Sequence, residues 1–257
     1  MSGEIVLMAW VHNLNPTILN LPFGLEIRWY GLMYVLAFLF TYWYIRKRIQ
    51  ERKAKITEDD LDSILFWGVI ALILGARLFD VFYSPSEYFS SPLKIFEVWK
   101  GGLSFHGGLL GLIIAVLLFC KRRKISFLHV ADLMCVPLAL GQAFGRLGNF
   151  FNGELYGGAT NLPWGIIFPG TNTPRHPTMI YEALYDVVIF WILWKCKDSS
   201  MKEGRLFGMF LILYSIFRTL TEFLRYQETS WMWGPLSVAQ WLNVPMLLAG
   251  VWLMRRK

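Results

Sequence analysis

The chain has 257 residues, of which 55% are hydrophobic, 17% aromatic and only 17% charged. Soluble domains carry about 25% charged residues, so this composition excludes an ordinary soluble protein and predicts a polytopic helical membrane protein. The net charge of +7 at pH 7 would suit nucleic-acid binding. The basic residues stand in short runs beside apolar segments, however, and this pattern indicates membrane topology and no nucleic-acid partner.

The N-terminal residues 1–29 are mixed in polarity and contain Pro16 and Pro22, which predicts an outer-side interfacial arm. Residues 30–254 are predicted to form a seven-helix bundle, because seven apolar stretches approach the roughly 20 residues that span a bilayer. The whole chain, 1–257, is thus predicted to be a single all-α integral membrane domain. The predicted spans are 30–46, 62–83, 105–120, 128–148, 178–195, 205–226 and 235–254.

Basic runs predict the orientation of these spans. Lys and Arg follow the first, third, fifth and seventh spans and make up most of the 25 basic residues. The positive-inside rule places these runs in the cytoplasm, with the N-terminus outside and the C-terminus inside. The other basic residues map to the outer side or to the outer half of a span, and function is the leading explanation for them. They are Arg28, Arg77, Lys94, Lys100, Arg146, Arg175, Arg218 and Arg225.

The cysteines do not predict a metal or redox centre. Cys120, Cys135 and Cys196 lie in or at the ends of apolar segments, without a CxxC or Cys/His spacing. We therefore expect no metal, no cofactor and no disulfide framework.

The segment 145–157 is the strongest local indication of function. It places an arginine, two asparagines and a glutamate among four glycines, where a long apolar segment ends. Ionisable groups at membrane depth are costly and are functional by default. A second polar group lies in the sixth span, where Arg218, Glu222 and Arg225 are spaced i, i+4 and i+7 and so share one predicted helix face.

Each polar residue also has a structural interpretation. Arg146 either ties helix ends or holds an anion, and Arg218 either pairs with Glu222 or acts in catalysis; both patterns favour function. Arg225 either snorkels to the interface or binds substrate. Tyr30 either belongs to the aromatic belt at the membrane interface or takes part in a functional site. Asn149 and Asn152 either bind hydroxyls or satisfy backbone groups. Glu154 either orients an arginine or acts as a base.

Four motifs together resemble the prolipoprotein diacylglyceryl transferase family. They are HGG at 106–108, GRxGNFxNxExxG at 145–157, RHPxxxYE at 175–182 and FRxxxEFxR at 217–225. The resemblance implies a multi-pass enzyme of the bacterial inner membrane with its active site toward the periplasmic, outer side. Its implied reaction moves the diacylglyceryl group of phosphatidylglycerol to the lipobox cysteine thiol of a prolipoprotein signal peptide. A thioether forms and glycerol phosphate is released.

The resemblance also implies roles for individual residues. His106, Arg146 and Arg218 are expected to be catalytic, with His106 acting as thiol base or as phosphate donor. Substrate binding is expected from six residues, and three others are expected to support them. The binding residues are Tyr30, Asn149, Asn152, Glu154, Gly157 and Arg225, and the supporting residues are Arg77, Glu182 and Glu222.

Two other functions fit parts of the pattern. A transporter or channel for an anionic solute would also place arginines outside, but it should carry polar groups along a path to the cytoplasm. The inner halves of the spans hold few, apart from Asp132 and Asp186. A different lipid-headgroup transferase usually shows carboxylate-rich metal motifs, and the sequence has none.

Overall fold

A computed structural model describes residues 9–22, 25–98, 101–225 and 232–256. The chain is mostly helical, which confirms the predicted all-α class, and a helix forms in each of the seven apolar stretches. The longer helices are α1 Trp29–Gln50, α2 Glu58–Tyr83, α4 Phe105–Arg123, α5 Phe127–Asn152, α6 Thr178–Cys196, α7 Arg205–Glu222 and α8 Val238–Arg255. A short helix α3, Pro85–Ser90, and a 3-10 helix, Pro92–Phe96, lie between α2 and α4.

Two of these helices meet the length and apolarity expected of a membrane span. Within the described residues they are α2 and α5, with mean hydropathies of 2.0 and 1.5 over their most apolar windows. Both helices are consistent with a membrane protein. The count of seven spans and their orientation stay predictions.

Short strands form in the loops and in the N-terminal arm. In the arm, β2 (Thr17–Asn20) and β3 (Glu26–Arg28) pair antiparallel, and β1 (Trp10–Val11) pairs parallel with β4 (Ile166–Ile167). Between α7 and α8, β5 (Met232–Trp233) pairs with β6 (Leu236–Ser237). This last pair shortens the predicted seventh span, because α8 begins only at Val238, where Ser237 and Gln240 form a capping box.

The chain divides into two compact units. The first unit is built from the chain up to Trp43 and from Ala131 onward, and the second is Tyr44–Val130. In the second unit α2 and α4 approach closely through glycines. A Cβ added at Gly75 would lie 3.0 Å from the Cα of Gly111, so larger side chains would force the helices apart.

In the first unit α7 packs between α6 and α8. The start of α7 is bound by Asp132 of α5, whose carboxylate accepts hydrogen bonds from the amides of Gly204 at 2.6 Å and Phe207 at 2.7 Å. Gly208 and Gly250 bring α7 and α8 together, because a Cβ at Gly250 would meet the Ile212 side chain at 2.8 Å. These contacts hold α7 where its last turn meets α6.

The predicted sixth span is too long at its C-terminal end. Helix α7 ends at Glu222, and Arg225 therefore lies beyond the regular helix. The backbone at Arg225 forms an isolated antiparallel β-bridge with Gly157 instead. The prediction that one regular helix carries Arg218, Glu222 and Arg225 is wrong for Arg225, because pairing with a distant loop outweighs the continuation of the helix.

Candidate active site

Three arginines converge on one buried carboxylate in the first unit. Glu182, in the second turn of α6, has a side chain that is 1% exposed. Its Oε2 lies 2.8 Å from Nε of Arg146 in α5. Its Oε1 lies 3.6 Å from Nη1 of Arg218 and 3.5 Å from Nη1 of Arg225. Glu182, expected from the sequence only to support the contact residues, is the centre of the cluster.

Glu222 is the second carboxylate of this cluster. It forms a close ion pair with Arg218 one turn earlier in α7, and its Oε2 lies 3.8 Å from Nε of Arg225. Three arginines therefore face the two carboxylates that they contact directly, Glu182 and Glu222. The arginine side chains are 11–20% exposed, so the surplus positive charge lies in surroundings that screen it less than water does.

The terminal nitrogens of the Arg146 guanidinium are available to other partners. Its ion pair with Glu182 uses Nε, and within the described part of the chain no hydrogen bond is made by its two terminal nitrogens. A Cβ added at the neighbouring Gly145 would have no atom within 4 Å, so the space beside this turn of α5 is open. A guanidinium held at Nε can offer its terminal pair to a phosphate in a bidentate contact.

Gly157 closes the loop that follows α5. Its amide donates to the carbonyl oxygen of His176 at 2.8 Å, and the amide of Gly158 donates to that of Leu224 at 2.9 Å. A Cβ at Gly157 would overlap the Leu224 carbonyl oxygen and lie 2.7 Å from Cγ2 of Thr178. The glycine thus lets one backbone pass between two others and ties the end of the 145–157 segment to the segment that carries Arg225.

His176 is part of this frame. Burial lowers the pKa of its imidazole, which favours the neutral form of the ring. Its Nδ1 lies 3.3 Å from the hydroxyl of Tyr181. These contacts agree with a structural role, as its position before Pro177 suggests.

Tyr30 lies against the end of α5. A Cβ at Gly148 would reach Cδ2 of the Tyr30 ring at 2.5 Å, and Trp29 stacks on Phe151 with centroids 4.8 Å apart. The Tyr30 hydroxyl is 3.2 Å from that of Tyr34. The Tyr30 ring therefore lies against the 145–157 segment, at Gly148.

Glu154 contacts two amides. Its Oε1 accepts hydrogen bonds from Nδ2 of Asn149 at 2.9 Å and of Asn152 at 3.0 Å. The sequence suggested that Glu154 orients an arginine or acts as a base, yet within the described residues it makes no ion pair with an arginine.

His106 and Arg77 belong to the second unit. His106 is exposed in the first turn of α4. Arg77 is 6% exposed and binds four carbonyl oxygens, two in the 3-10 helix and two in the loop before α4. Its Nε donates to Ile95 at 3.0 Å and its Nη1 to Gly101 at 2.8 Å and Gly102 at 2.9 Å, while Nη2 contacts Lys94. Arg77 thus shapes the segment that leads to His106.

Sequence reasoning missed His12, which carries no recognisable motif. Its ring is 5% exposed, and its Nε2 donates to the carbonyl oxygen of Phe150 at 2.7 Å. The ring also lies against Gly153, where a Cβ would approach Cε1 of His12 to 3.1 Å. His12 therefore connects the N-terminal arm to the 145–157 segment.

Asp186 of α6 and Tyr214 of α7 each lie one turn from a residue of the cluster, and Asp186 is fully buried. The sequence contained a signal for each. Asp186 follows Glu182 by four residues and Tyr214 precedes Arg218 by four, so each pair shares a helix face.

Comparisons with known proteins identify the family of this chain. The model of the family "Prolipoprotein diacylglyceryl transferase" matches residues 16–256. A phosphatidylglycerol–prolipoprotein diacylglyceryl transferase of Geobacter sulfurreducens is 46% identical over 233 residues, which cover 88% of this chain and 89% of the relative. Proteins of the same name from Bordetella bronchiseptica and Cupriavidus metallidurans are 42% and 44% identical. The matches cover 89% and 90% of this chain, and 90% and 91% of those relatives.

Proposed function

The chain belongs to the prolipoprotein diacylglyceryl transferase family, and on that premise we propose that its buried arginine cluster drives the transfer. The enzyme moves the diacylglyceryl group of phosphatidylglycerol to a prolipoprotein, which is the first step of lipoprotein maturation. The acceptor is the thiol of the lipobox cysteine in the signal peptide. No metal or cofactor takes part in this scheme.

The observation that carries the proposal is the convergence of Arg146, Arg218 and Arg225 on Glu182. The carboxylate holds the three guanidinium groups together, although like charges would otherwise repel one another. The surplus positive charge then attracts the singly charged phosphate diester of the lipid. Arg146 contributes the terminal nitrogens of its guanidinium, and Arg218 lies beside it on α7.

The chemistry follows from where charge develops. The substrate sulfur attacks the terminal glyceryl carbon, a C–S bond forms, and the C–O bond to the phosphate breaks. The bonding electrons leave with glycerol phosphate, whose phosphate gains negative charge in the transition state. Fixed cations favour this state over the ground state, and they need little reorganisation because Glu182 and Glu222 already hold them.

The thiol proton must leave during this step, because thiolate is the better nucleophile. His106 is proposed to take part in this step, either as the base that takes the proton or as a donor to the phosphate. The enzyme itself needs no nucleophilic cysteine, since the attacking sulfur belongs to the prolipoprotein.

Membrane placement completes the proposal. The seven long helices cross the inner membrane with the N-terminus outside and the C-terminus in the cytoplasm, and the arginine cluster faces the outer side, where prolipoproteins emerge. The distribution of Lys and Arg supports this orientation. Reporter fusions test it. A reporter that is active only in the cytoplasm should work at the C-terminus and fail in the 158–174 loop, and the reverse result would refute the orientation.

The test of function uses purified protein, phosphatidylglycerol and a synthetic lipobox peptide. We expect a peptide whose mass increases by one diacylglyceryl group, together with an equal amount of glycerol phosphate. Arg218→Ala should lose both products while it purifies as a folded protein. Product from a peptide with serine in place of cysteine, or a peptide modified by a phosphatidyl group, would contradict the proposed reaction.

A further inference from the structure

Asp186 is a buried acid that the proposed transfer does not use. It lies in α6 one turn after Glu182, and it is 0% exposed. Neither of its carboxylate oxygens has a hydrogen-bond partner in the part of the chain that the structure describes, and neither forms an ion pair there. Two acidic side chains on one helix face therefore lie in opposite surroundings. Glu182 contacts three arginines, whereas Asp186 pairs with none of them.

The packing of α6 against α7 offers Asp186 no hydrogen-bond donor. Glu182 meets Arg218, and three residues later the ring of Tyr185 lies 6.2 Å from that of Tyr214. The two helices thus run in opposite directions, and Ser215 lies near the level of Asp186. The hydroxyls of Ser215 and Tyr185 are buried and, among the described residues, also have no hydrogen-bond partner. A carboxylate at this level would therefore be poorly solvated.

These surroundings favour a neutral carboxylic acid at Asp186. Burying a charge without hydrogen bonds costs far more than burying a neutral polar group. The arginines attract negative charge, but this attraction weakens with distance. They are already paired with Glu182 and Glu222, which lie closer to them. Ionised Glu182, one turn away, also repels a second negative charge on the same face.

The protonation state of Asp186 sets the net charge around the arginines. The three arginines of the cluster face two carboxylates, Glu182 and Glu222. One positive charge is left over as long as Asp186 is neutral. An ionised Asp186 would cancel this surplus from one turn away, in surroundings that screen charge less than water does.

We propose that Asp186 holds a proton and thereby preserves the surplus positive charge that attracts the phosphate of the lipid. The inference rests on the proposed function, and Asp186 acts through the arginines without touching the substrate. Loss of this proton at alkaline pH cancels the surplus and weakens the binding of the lipid. The other charged or titratable groups around this level are Arg146 of α5, Glu182 and Tyr185 of α6, and Tyr214 and Arg218 of α7.

Infrared difference spectroscopy of the purified protein tests the proton directly. The spectrum of the wild type minus that of Asp186→Asn at pH 7 should contain the C=O stretch of a protonated carboxylic acid. Asp186→Ser, a second variant without the acid, should lose the same band. Asp59→Asn removes an exposed carboxylate near the start of α2 and should change only the bands of ionised carboxylates. A wild type in which Asp186 contributes carboxylate bands alone would overturn the inference.

The pH dependence of KM for phosphatidylglycerol tests the consequence for binding. In the wild type KM should rise by about tenfold or more over the pH interval in which the acid band disappears, because a charge-assisted contact is weakened. In Asp186→Asn no such rise should occur over this interval. A merely structural role of Asp186 would change KM by the same factor at every pH.

Two further outcomes would contradict the inference. One is loss of the acid band without a rise in KM, and the other is the same rise in the wild type and in Asp186→Asn. An acid band and a KM that both stay constant up to the alkaline limit of folding agree with a neutral acid throughout. Wild-type protein that lipidates the peptide at no pH would refute the proposed function, whereas the infrared band is measured without substrate.

Discussion

Replacing Glu182 by glutamine removes the charge at the centre of the arginine cluster while it keeps the volume of the side chain. Glu182 contacts Arg146, Arg218 and Arg225 at 2.8, 3.6 and 3.5 Å, and its side chain is 1% exposed. Loss of one partner from a buried ion pair costs about 3–5 kcal/mol, because the remaining charges stay buried without compensation. For a chain of this size that corresponds to a fall of roughly 6–20 °C in Tm.

Thermal unfolding of the purified proteins in detergent measures this effect. Glu26→Gln is the matched control, because it removes the same charge from an ion pair with Arg28 whose side chains are 41% and 55% exposed, and it should leave Tm nearly unaltered. Glu182→Gln should also lower peptide lipidation by about 100-fold, since a small misplacement of Arg146 weakens transition-state contacts. A variant with wild-type Tm and near-normal transfer would refute the central role of Glu182.

Three other predictions concern Arg146, Gly157 and the need for a metal. Arg146→Lys should lower kcat/KM by about 100-fold or more, because an ammonium group cannot make the two-pronged phosphate contact; a full-rate lysine variant would mean that charge alone suffices. Gly157→Ala should destabilise the protein by about 1–3 kcal/mol, because a Cβ would overlap the Leu224 carbonyl oxygen. Gly145→Ala, with no atom within 4 Å of its Cβ, should keep the wild-type Tm, and equal Tm losses would contradict the steric argument. Incubation with EDTA should leave transfer unaffected; inhibition that a divalent cation reverses would show that the reaction needs a metal.

Much of the helical architecture was predictable from local pattern. The apolar stretch at 62–83 became α2, and the stretch at 128–148 became α5, which extends to Asn152. Apolar segments of this length form helices because the backbone then satisfies its own hydrogen bonds. The boundaries were less predictable. Helix α7 ends at Glu222 because the following backbone pairs with Gly157, a residue far away in sequence.

In the candidate site too, contacts between residues close in sequence were more predictable than contacts between residues far apart in sequence. The i, i+4 spacing of Arg218 and Glu222 offered an ion pair as one of two interpretations of Arg218, and the structure contains that ion pair. The sequence also identified Glu182 as a supporting residue, but nothing in its spacing indicated that arginines from α5 and α7 would both reach it. His12, buried against Phe150, had no local signal, because its role depends on the parallel pairing of β1 with β4.

Sequence alone determined the membrane class, the position of the helices and the family resemblance, because each depends on composition, periodicity or short motifs that a linear chain displays directly. Tertiary structure alone decided which groups pair. Glu182 collects three arginines, and Glu154 receives two asparagine amides instead of an arginine. The physical reason is that a charge or an amide can pair with any complementary group within reach, and only the packing of α5, α6 and α7 determines which groups come within about 4 Å of one another.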